Sequence, residues 1–325
     1  MNFKSLSSFS ITGEAVNLFS KDKPKIIIIG ASGWLGMSTL HLLQDILGDL
    51  NESVLCFGSV EKELKLLNRT SIKQYPLKEL SLYPQNKADY LLNFAFLTRS
   101  KLDNLSSEDF IESNRIISTT IHKEARRIKV PNVATISSGA VYTEDNSIAS
   151  DIDKNPYGFL KHEEELLFLK LKEYGAKVII PRLFNITGPY SGLPNLYMIT
   201  SLIAQAINVG SITIDSPKKV FRSFISIANL ISTIFGSTFL IKKGESIIYD
   251  TCGVSIEEVG DLALHIKRLL NSEADIIRPI IDEDSELNYY VGSRSRYGSL
   301  IHDLKIREDT IEDQIINTAE YLKLT

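Results

Sequence analysis

The sequence is short of the features that mark the specialised classes. It has two cysteines, Cys56 and Cys252, too few for a disulfide framework or a metal set. They read as buried apolar thiols. The five histidines, His41, His122, His162, His265 and His302, show no close ligand pairing, so no metal is expected. No apolar run approaches the ~20 residues that span a bilayer. Lys4 is not followed by a continuous apolar segment, so no secretory signal is read and cytoplasm is the default location. Positive charge is not in excess. Thirty-six Lys and Arg against 40 Asp and Glu leave a net charge of −4, which gives no electrostatic reason to expect nucleic acid. Neither a repeat nor a low-complexity linker is evident. What remains is 325 residues, 43% hydrophobic and 23% charged, enough for a sizeable core and one or two domains.

Residues 1–24 have no sustained period and read as an N-terminal extension. Lys25-Ile26-Ile27-Ile28-Ile29 is a short β-branched run, the mark of a strand buried on both faces. Gly30-Ala31-Ser32-Gly33-Trp34-Leu35-Gly36 follows, and then apolar residues at helical spacing. Strand, glycine turn and helix are the setting in which a backbone approaches a pyrophosphate at a helix N-terminus. Gly30, Ser32, Gly33, Trp34, Leu35 and Gly36 are therefore candidate cofactor contacts. A tight turn without a ligand is the plainer alternative.

Val54–Phe57 reads as the second strand. No acid stands at its end, where one commonly bonds the adenosine ribose of NAD; Gly58-Ser59-Val60 stands there instead. Ser59, Lys62 and Lys65 can accept a 2′-phosphate, although for the lysines a solvated helix face is the plainer reading. Asp89–Leu97 reads as a central strand, and Phe94 and Ala95 near its end join the candidate cofactor contacts. Ser106 and Asp109 form a capping-box-like pair before a helix whose apolar stripe is interrupted by Asn114. That amide is a candidate for the catalytic site or a satisfied structural group.

Val133–Ile136 is the strand that delivers Ser137 and Ser138. Asn155 can cap a helix and Pro156 can occupy its first turn. Tyr157 and Lys161 then lie on one helix face, where an ammonium favours the ionised phenol. Such a pair moves a proton nearer neutrality than a free tyrosine, with its pKa near ~10. Lys177–Ile180 is a further strand. Helical stretches are expected near 196–208, 226–241, 255–270 and 309–323. Strands alternating with helices at this rhythm predict an α/β fold with a doubly wound parallel sheet.

In this order, G30-A-S-G-W-L-G36, S137-S-G-A-V-Y142, Y157-G-F-L-K161, R182-L-F-N-I-T-G-P189 and R222-S-F-I-S-I227 resemble the extended short-chain dehydrogenase/reductase, or NAD-dependent epimerase/dehydratase, family over residues 25–323. The resemblance implies a Rossmann-type domain over 25–188, with 218–245 returning to it. It also implies a smaller C-terminal α/β substrate domain from 189–217 and 246–325. It makes Tyr157 the catalytic base and Lys161 its helper and holder of the nicotinamide ribose. Ser138 becomes the carbonyl-polarising hydroxyl, and Asn185 and Arg222 become nucleotide contacts of a sugar-nucleotide substrate. Arg294 and Arg296 are weaker candidates in place of an arginine often found before the tyrosine matched by Tyr289 or Tyr290. The acidic run Asp282-Glu283-Asp284 stands there instead; it reads as a solvated loop, or as a sign of an uncharged or cationic substrate if it lines the pocket. Dehydratases of the family carry Asp-Glu after the catalytic hydroxyl, whereas Gly139-Ala140 follow Ser138 here.

The expectation is an NAD(P)-dependent nucleotide-sugar epimerase or 4-ketoreductase that accepts NADP at least as well as NAD. Two alternatives stay open: a non-catalytic dinucleotide-binding sensor or scaffold, and a reductase of a non-nucleotide carbonyl. A homodimer through the helices around 107–128 and 157–174 is expected, partly from the resemblance and partly because Leu166, Leu167, Leu169 and Leu171 leave no clearly polar face.

Overall fold

The computed structural model describes residues 6, 8–13, 16, 19, 23–99, 105–192, 197–208 and 210–325. In chain order come β1 (Ile26–Ile29), α1 (Trp34–Leu47), β2 (Val54–Gly58), β3 (Lys62–Lys65), β4 (Ser71–Pro76), β5 (Tyr90–Asn93), α2 (Ser107–Ile128), β6 (Asn132–Thr135), β7 (Ser137–Ser138), α3 (Pro156–Leu169) and β8 (Lys177–Leu183). Then follow β9 (Ile186–Thr187), α4 (Met198–Ile207), β10 (Ser211–Thr213), β11 (Val220–Arg222), β12 (Ile225–Ser226) and α5 (Ile227–Leu240). The last elements are β13 (Ser246–Asp250), β14 (Glu257–Glu258), α6 (Val259–Leu269), β15 (Asp275–Ile277), β16 (Asn288–Tyr290), α7 (Arg294–Asp303) and α8 (Ile311–Leu324).

A nine-stranded sheet runs β13-β8-β6-β5-β1-β2-β4-β3, with β7 beside β8. All its pairings are parallel except β3 against β4. The four isoleucines of β1 are buried on both faces, as their β-branched run requires of a central parallel strand. Ile26 and Ile28 join a core with α1 and α5; Ile27 and Ile29 join another with α2 and the end of α3. This is the doubly wound α/β arrangement expected from the sequence. Strand order reverses around β1, between β2 and β5, which opens the crevice where such sheets bind ligands.

The sequence reading closes the returning segment at 245, but the sheet also takes in β13. Residues of β13 alternate between buried and half-buried, and Tyr249 stacks on buried Tyr297 of α7 at 6.0 Å. β13 and α7 therefore pack with the main sheet. A third core joins α4, α6 and α8 to β10, β11 and Phe224. Lys62 and Lys65 lie on an exposed β-strand paired with β4, not on a helix. Within the extension, Phe9, Ile11 and Phe19 are buried in the main core, with Phe19 packed at 4.4 Å from Phe235 and 5.3 Å from Tyr90.

Local signals fix the helices that carry the site. The Ser106 hydroxyl accepts from Asp109 N at 3.0 Å, acids fill the first turn of α2 and arginines its last, matching the helix dipole. Asn155 accepts from Gly158 N at 2.9 Å and donates to Ala140 O at 2.9 Å. The first turn of α3 is thus pinned to the turn after Ser138. The approach is so close that a Cβ on Gly158 would lie 1.9 Å from Ala140 O. Only glycine allows it, and the result is that Tyr157 sits beside Ser138.

Candidate active site

A cavity of about 510 Å³ runs from the glycine turn to the ends of β7 and β8. Gly30, Gly33, Trp34, Leu35 and Phe94 line one end, Ser138, Tyr157 and Lys161 the middle, and Asn185 the region beyond. Gly30 has φ +80, and a Cβ there would lie 2.8 Å from Ala95 N and from the Phe94 carbonyl carbon. The turn can therefore pass under Phe94–Ala95 only with glycine. The N-terminus of α1 has neither a side-chain cap nor an acid in its first turn. Its free N–H groups and dipole suit a pyrophosphate, so these residues fit a dinucleotide. The Trp34 indole donates to Pro189 O at 2.8 Å, and Ser38 reaches the same oxygen at 2.7 Å, fastening this helix end to the loop after β9.

Other expected cofactor contacts fall elsewhere. Gly36 packs on the backbone of Ala31, so its role is helix–strand contact. Ala95 contributes backbone against Gly30. Ser32 and Ser59 are exposed and outside the cavity. The space beside Gly58 is filled by buried Gln74, whose amide accepts from Ser32 N at 3.0 Å and donates to Val60 O at 2.9 Å. Glu61 is paired with Lys73 at 3.0 Å. A neutral amide thus stands against the end of β2.

The Ser138 hydroxyl accepts from Ala140 N at 3.1 Å and faces the Tyr157 and Tyr290 phenols, both raised by burial, with Ser138 opposing the rise. Burial pushes Tyr157 up to about 12, with the Glu164 carboxylate acting in the same direction and Arg99 opposing it. This differs from the sequence expectation of a phenol acidified by Lys161. The reason is geometric: the Lys161 ammonium donates to Glu164 at 2.7 Å and to Ile136 O at 2.7 Å, and lies 3.8 Å over the Phe96 ring. The edge of Phe96 also meets Tyr157, with centroids 5.8 Å apart.

Behind Ser138, Ser137 donates to Glu165, which forms a two-pronged pair with Arg182 at 2.7 and 2.8 Å. Arg182 also donates to Tyr142 at 2.6 Å, and Tyr142 to Asp250 at 3.0 Å. This part-buried chain fixes the ends of β7, β8 and β13 relative to one another.

Asn114 lies outside the cavity that Ser138, Tyr157 and Lys161 line. Its amide oxygen accepts from Leu97 N at 2.8 Å and its nitrogen donates to Phe110 O at 3.1 Å. It is the satisfied structural amide, holding the loop after β5. Among the substrate candidates, Asn185 lines the cavity and donates to Ser223 O and Tyr290 O at 3.1 and 3.3 Å. Arg222 donates to Phe221 O and Asn288 O, outside the lining, and its guanidinium is 5.7 Å from the Tyr290 ring. Arg294 is taken by Glu308 at 2.6 and 2.8 Å and by Cys252 O. Arg296 is exposed on α7. The run Asp282–Asp284 is exposed, with Glu283 paired to Lys219 at 2.7 Å, so it is the solvated loop.

Sequence reasoning missed Phe96, Arg99, Tyr197 and Glu164, and saw Tyr290 only as a landmark. Glu164 alone left a signal, an acid three residues after Lys161 on the same helix face.

Residues 26–236 match the sequence profile of the NAD dependent epimerase/dehydratase family. UDP-glucuronic acid decarboxylase 5 of Arabidopsis thaliana is 25% identical over 118 residues, 35% of this chain and 32% of that protein; the match spans about a third of that relative. The UDP-N-acetylglucosamine 4-epimerase of Methanobrevibacter ruminantium M1, in complex with UDP-N-acetylmuramic acid, superposes with a TM-score of 0.72 at 17% identity, over 92% of this chain and 98% of the other. MoeE5 in complex with UDP-glucose and NAD gives 0.68 at 16% identity, over 92% and 98%. The glycine turn, the shared cavity of Ser138, Tyr157 and Lys161, and the profile match agree: the chain belongs to the NAD dependent epimerase/dehydratase family.

Proposed function

We propose that this chain is an NAD(P)-dependent oxidoreductase acting on a nucleotide sugar, as an epimerase or a 4-ketoreductase. One observation carries the reading. Ser138, Tyr157 and Lys161 line the cavity that starts at the glycine turn and continues to Asn185. A bound nicotinamide supplies the hydride acceptor or donor. Gly30, Gly33 and the first turn of α1 hold the pyrophosphate, and Ser138 orients the reacting oxygen. Tyr157, half-buried in the cavity wall, gives or takes that oxygen's proton.

Dehydration fits poorly. It needs a second acid and base, and among the described residues no carboxylate lines this cavity. NADP is accepted at least as well as NAD in this reading, because neutral Gln74 stands where an acid would repel a 2′-phosphate. A homodimer through α2 and α3 belongs to the same reading, supported by exposed Ile116 and Leu166 on those helices.

A second reading, reduction of a non-nucleotide carbonyl, draws on Arg222 and Arg294, which lie outside the cavity lining and bond to the protein itself. Calorimetric titration of the cofactor-loaded protein with uridine, thymidine, guanosine and cytidine diphosphates separates the two. The first reading expects saturable binding of one; failure of all four refutes it and leaves the second.

A further inference from the structure

The site contains one charged pair that neither the glycine turn nor the reacting hydroxyls require. Glu164 is buried on α3 with its side chain 1% exposed, against 6% for Lys161. One carboxylate oxygen accepts from the Lys161 ammonium at 2.7 Å. The other accepts from Asn93 at 3.0 Å and from the Ser118 hydroxyl at 3.1 Å. Asn93 is itself fixed, donating to Thr135 at 3.0 Å and accepting from Ala95 N at 3.1 Å. The carboxylate is thus gripped from β5, α2 and α3, and the ammonium is seated between it, Ile136 O and the Phe96 ring. Solvent is nearly excluded from both, so screening is weak and the carboxylate offsets the lysine charge where Tyr157 feels it.

We propose that Glu164 is a positioning residue: gripped from β5 and α2, it seats the Lys161 ammonium over the Phe96 ring and offsets its charge beside Tyr157. The proposal rests on Tyr157 as the proton carrier. Among the described residues, the other charged or titratable groups around the pair are engaged or opposed as follows. Arg99 after β5 lowers the Tyr157 pKa. Tyr290 on β16 and Tyr197 before α4 are phenols raised chiefly by their own burial. Arg115 of α2 and Glu163 of α3 pair with each other at 3.0 Å near the surface. Glu165 is committed to Arg182.

The test needs no substrate. Phenolate absorbance is titrated in the wild type and in Glu164→Gln, each against the same protein carrying Tyr157→Phe, so that the difference reports Tyr157 alone. Glutamine keeps the shape and an acceptor but removes the charge. The Tyr157 midpoint should fall at least about tenfold in proton affinity, one pH unit, and Lys161→Met added to Glu164→Gln should reverse that fall, since the pair is then neutral again. If glutamine prevents folding, Glu164→Asp, which keeps the charge but shortens the reach, should show a smaller fall. An unchanged midpoint in the single variant, or a double variant as low as the single, overturns the proposal. Failure to bind any nucleoside diphosphate would instead refute the nucleotide-sugar reading and leave this titration untouched.

Discussion

At the scale of single residues, the chemistry is set by what each polar group is already bonded to. Gln74 is the clearest case. Its amide occupies the end of β2 and takes Ser32 N as a donor. Gln74→Glu would place a carboxylate there at the same size. It should weaken NADP binding relative to NAD by about tenfold, the effect of ~1.4 kcal/mol of like-charge repulsion, read by titrating both cofactors. An unchanged ratio would place the 2′-phosphate elsewhere. Asn114 makes the contrasting case, an amide with a structural duty. Asn114→Ala strands Leu97 N and should cost about 1–3 kcal/mol of stability, measured by urea unfolding. Ser138, Tyr157 and Lys161 were legible in the sequence because their spacing on a strand end and one helix face needs only local geometry. Arg294 was misread because its partner Glu308 arrives from fourteen residues further on. Lys161 was read without the acid that holds it, since burial of Glu164 depends on how α2 and β5 pack against α3.

Elements tell a similar story. β1, β6 and β8 were readable because strands buried on both faces leave continuous apolar runs, and α2 because it has caps at both ends. β3 and β4 were not, since they mix polar and apolar residues at the end of the sheet, β3 forming its edge, where either period can be fitted. β13 is five residues long and has only a short Ile-Ile-Tyr signal. The start of α8 supplies a stability prediction. The Thr310 hydroxyl accepts from Asp313 N at 3.1 Å, and the Asp313 side chain returns the bond to Thr310 N at 3.2 Å. Just before it, Asp309 is buried with its Oδ2 lacking a hydrogen-bond partner among the described residues, and desolvation raises its carboxyl from 3.8 to about 6. A raised folded-state pKa means that the folded protein holds this proton more tightly than the unfolded chain. The resulting stability is fully present below pH 3.8 and is lost as pH rises through about 6. Asp309→Asn should therefore raise the melting temperature at pH 8 relative to wild type and lose that advantage at pH 4. Equal shifts at both pH values would contradict the assignment.

On the scale of the whole molecule, a parallel sheet with helices on both faces brings the glycine turn and the Tyr157 helix to one crevice. The third core, of α4, α6 and α8, covers the far end. Leu171 and Phe168 turn inward to the core, while Leu166 of α3 is 51% exposed and Ile116 of α2 is 56% exposed. Leu166 and Ile116 are the apolar groups that a second copy would cover. Light scattering at micromolar concentration should report a dimer for wild type and a monomer for Leu166→Glu. A monomeric wild type would remove the dimer. The central claim is that a dinucleotide and a nucleotide sugar meet at Tyr157. Its most direct measurement is turnover of a panel of UDP- and thymidine-linked sugars by cofactor-loaded protein, followed by cofactor absorbance and by chromatographic separation of the sugars, with Tyr157→Phe alongside. The account predicts conversion of at least one sugar by wild type. It predicts loss of that conversion in Tyr157→Phe, with cofactor binding retained. Conversion at the wild-type rate by Tyr157→Phe, or no dinucleotide binding by either protein, would contradict it.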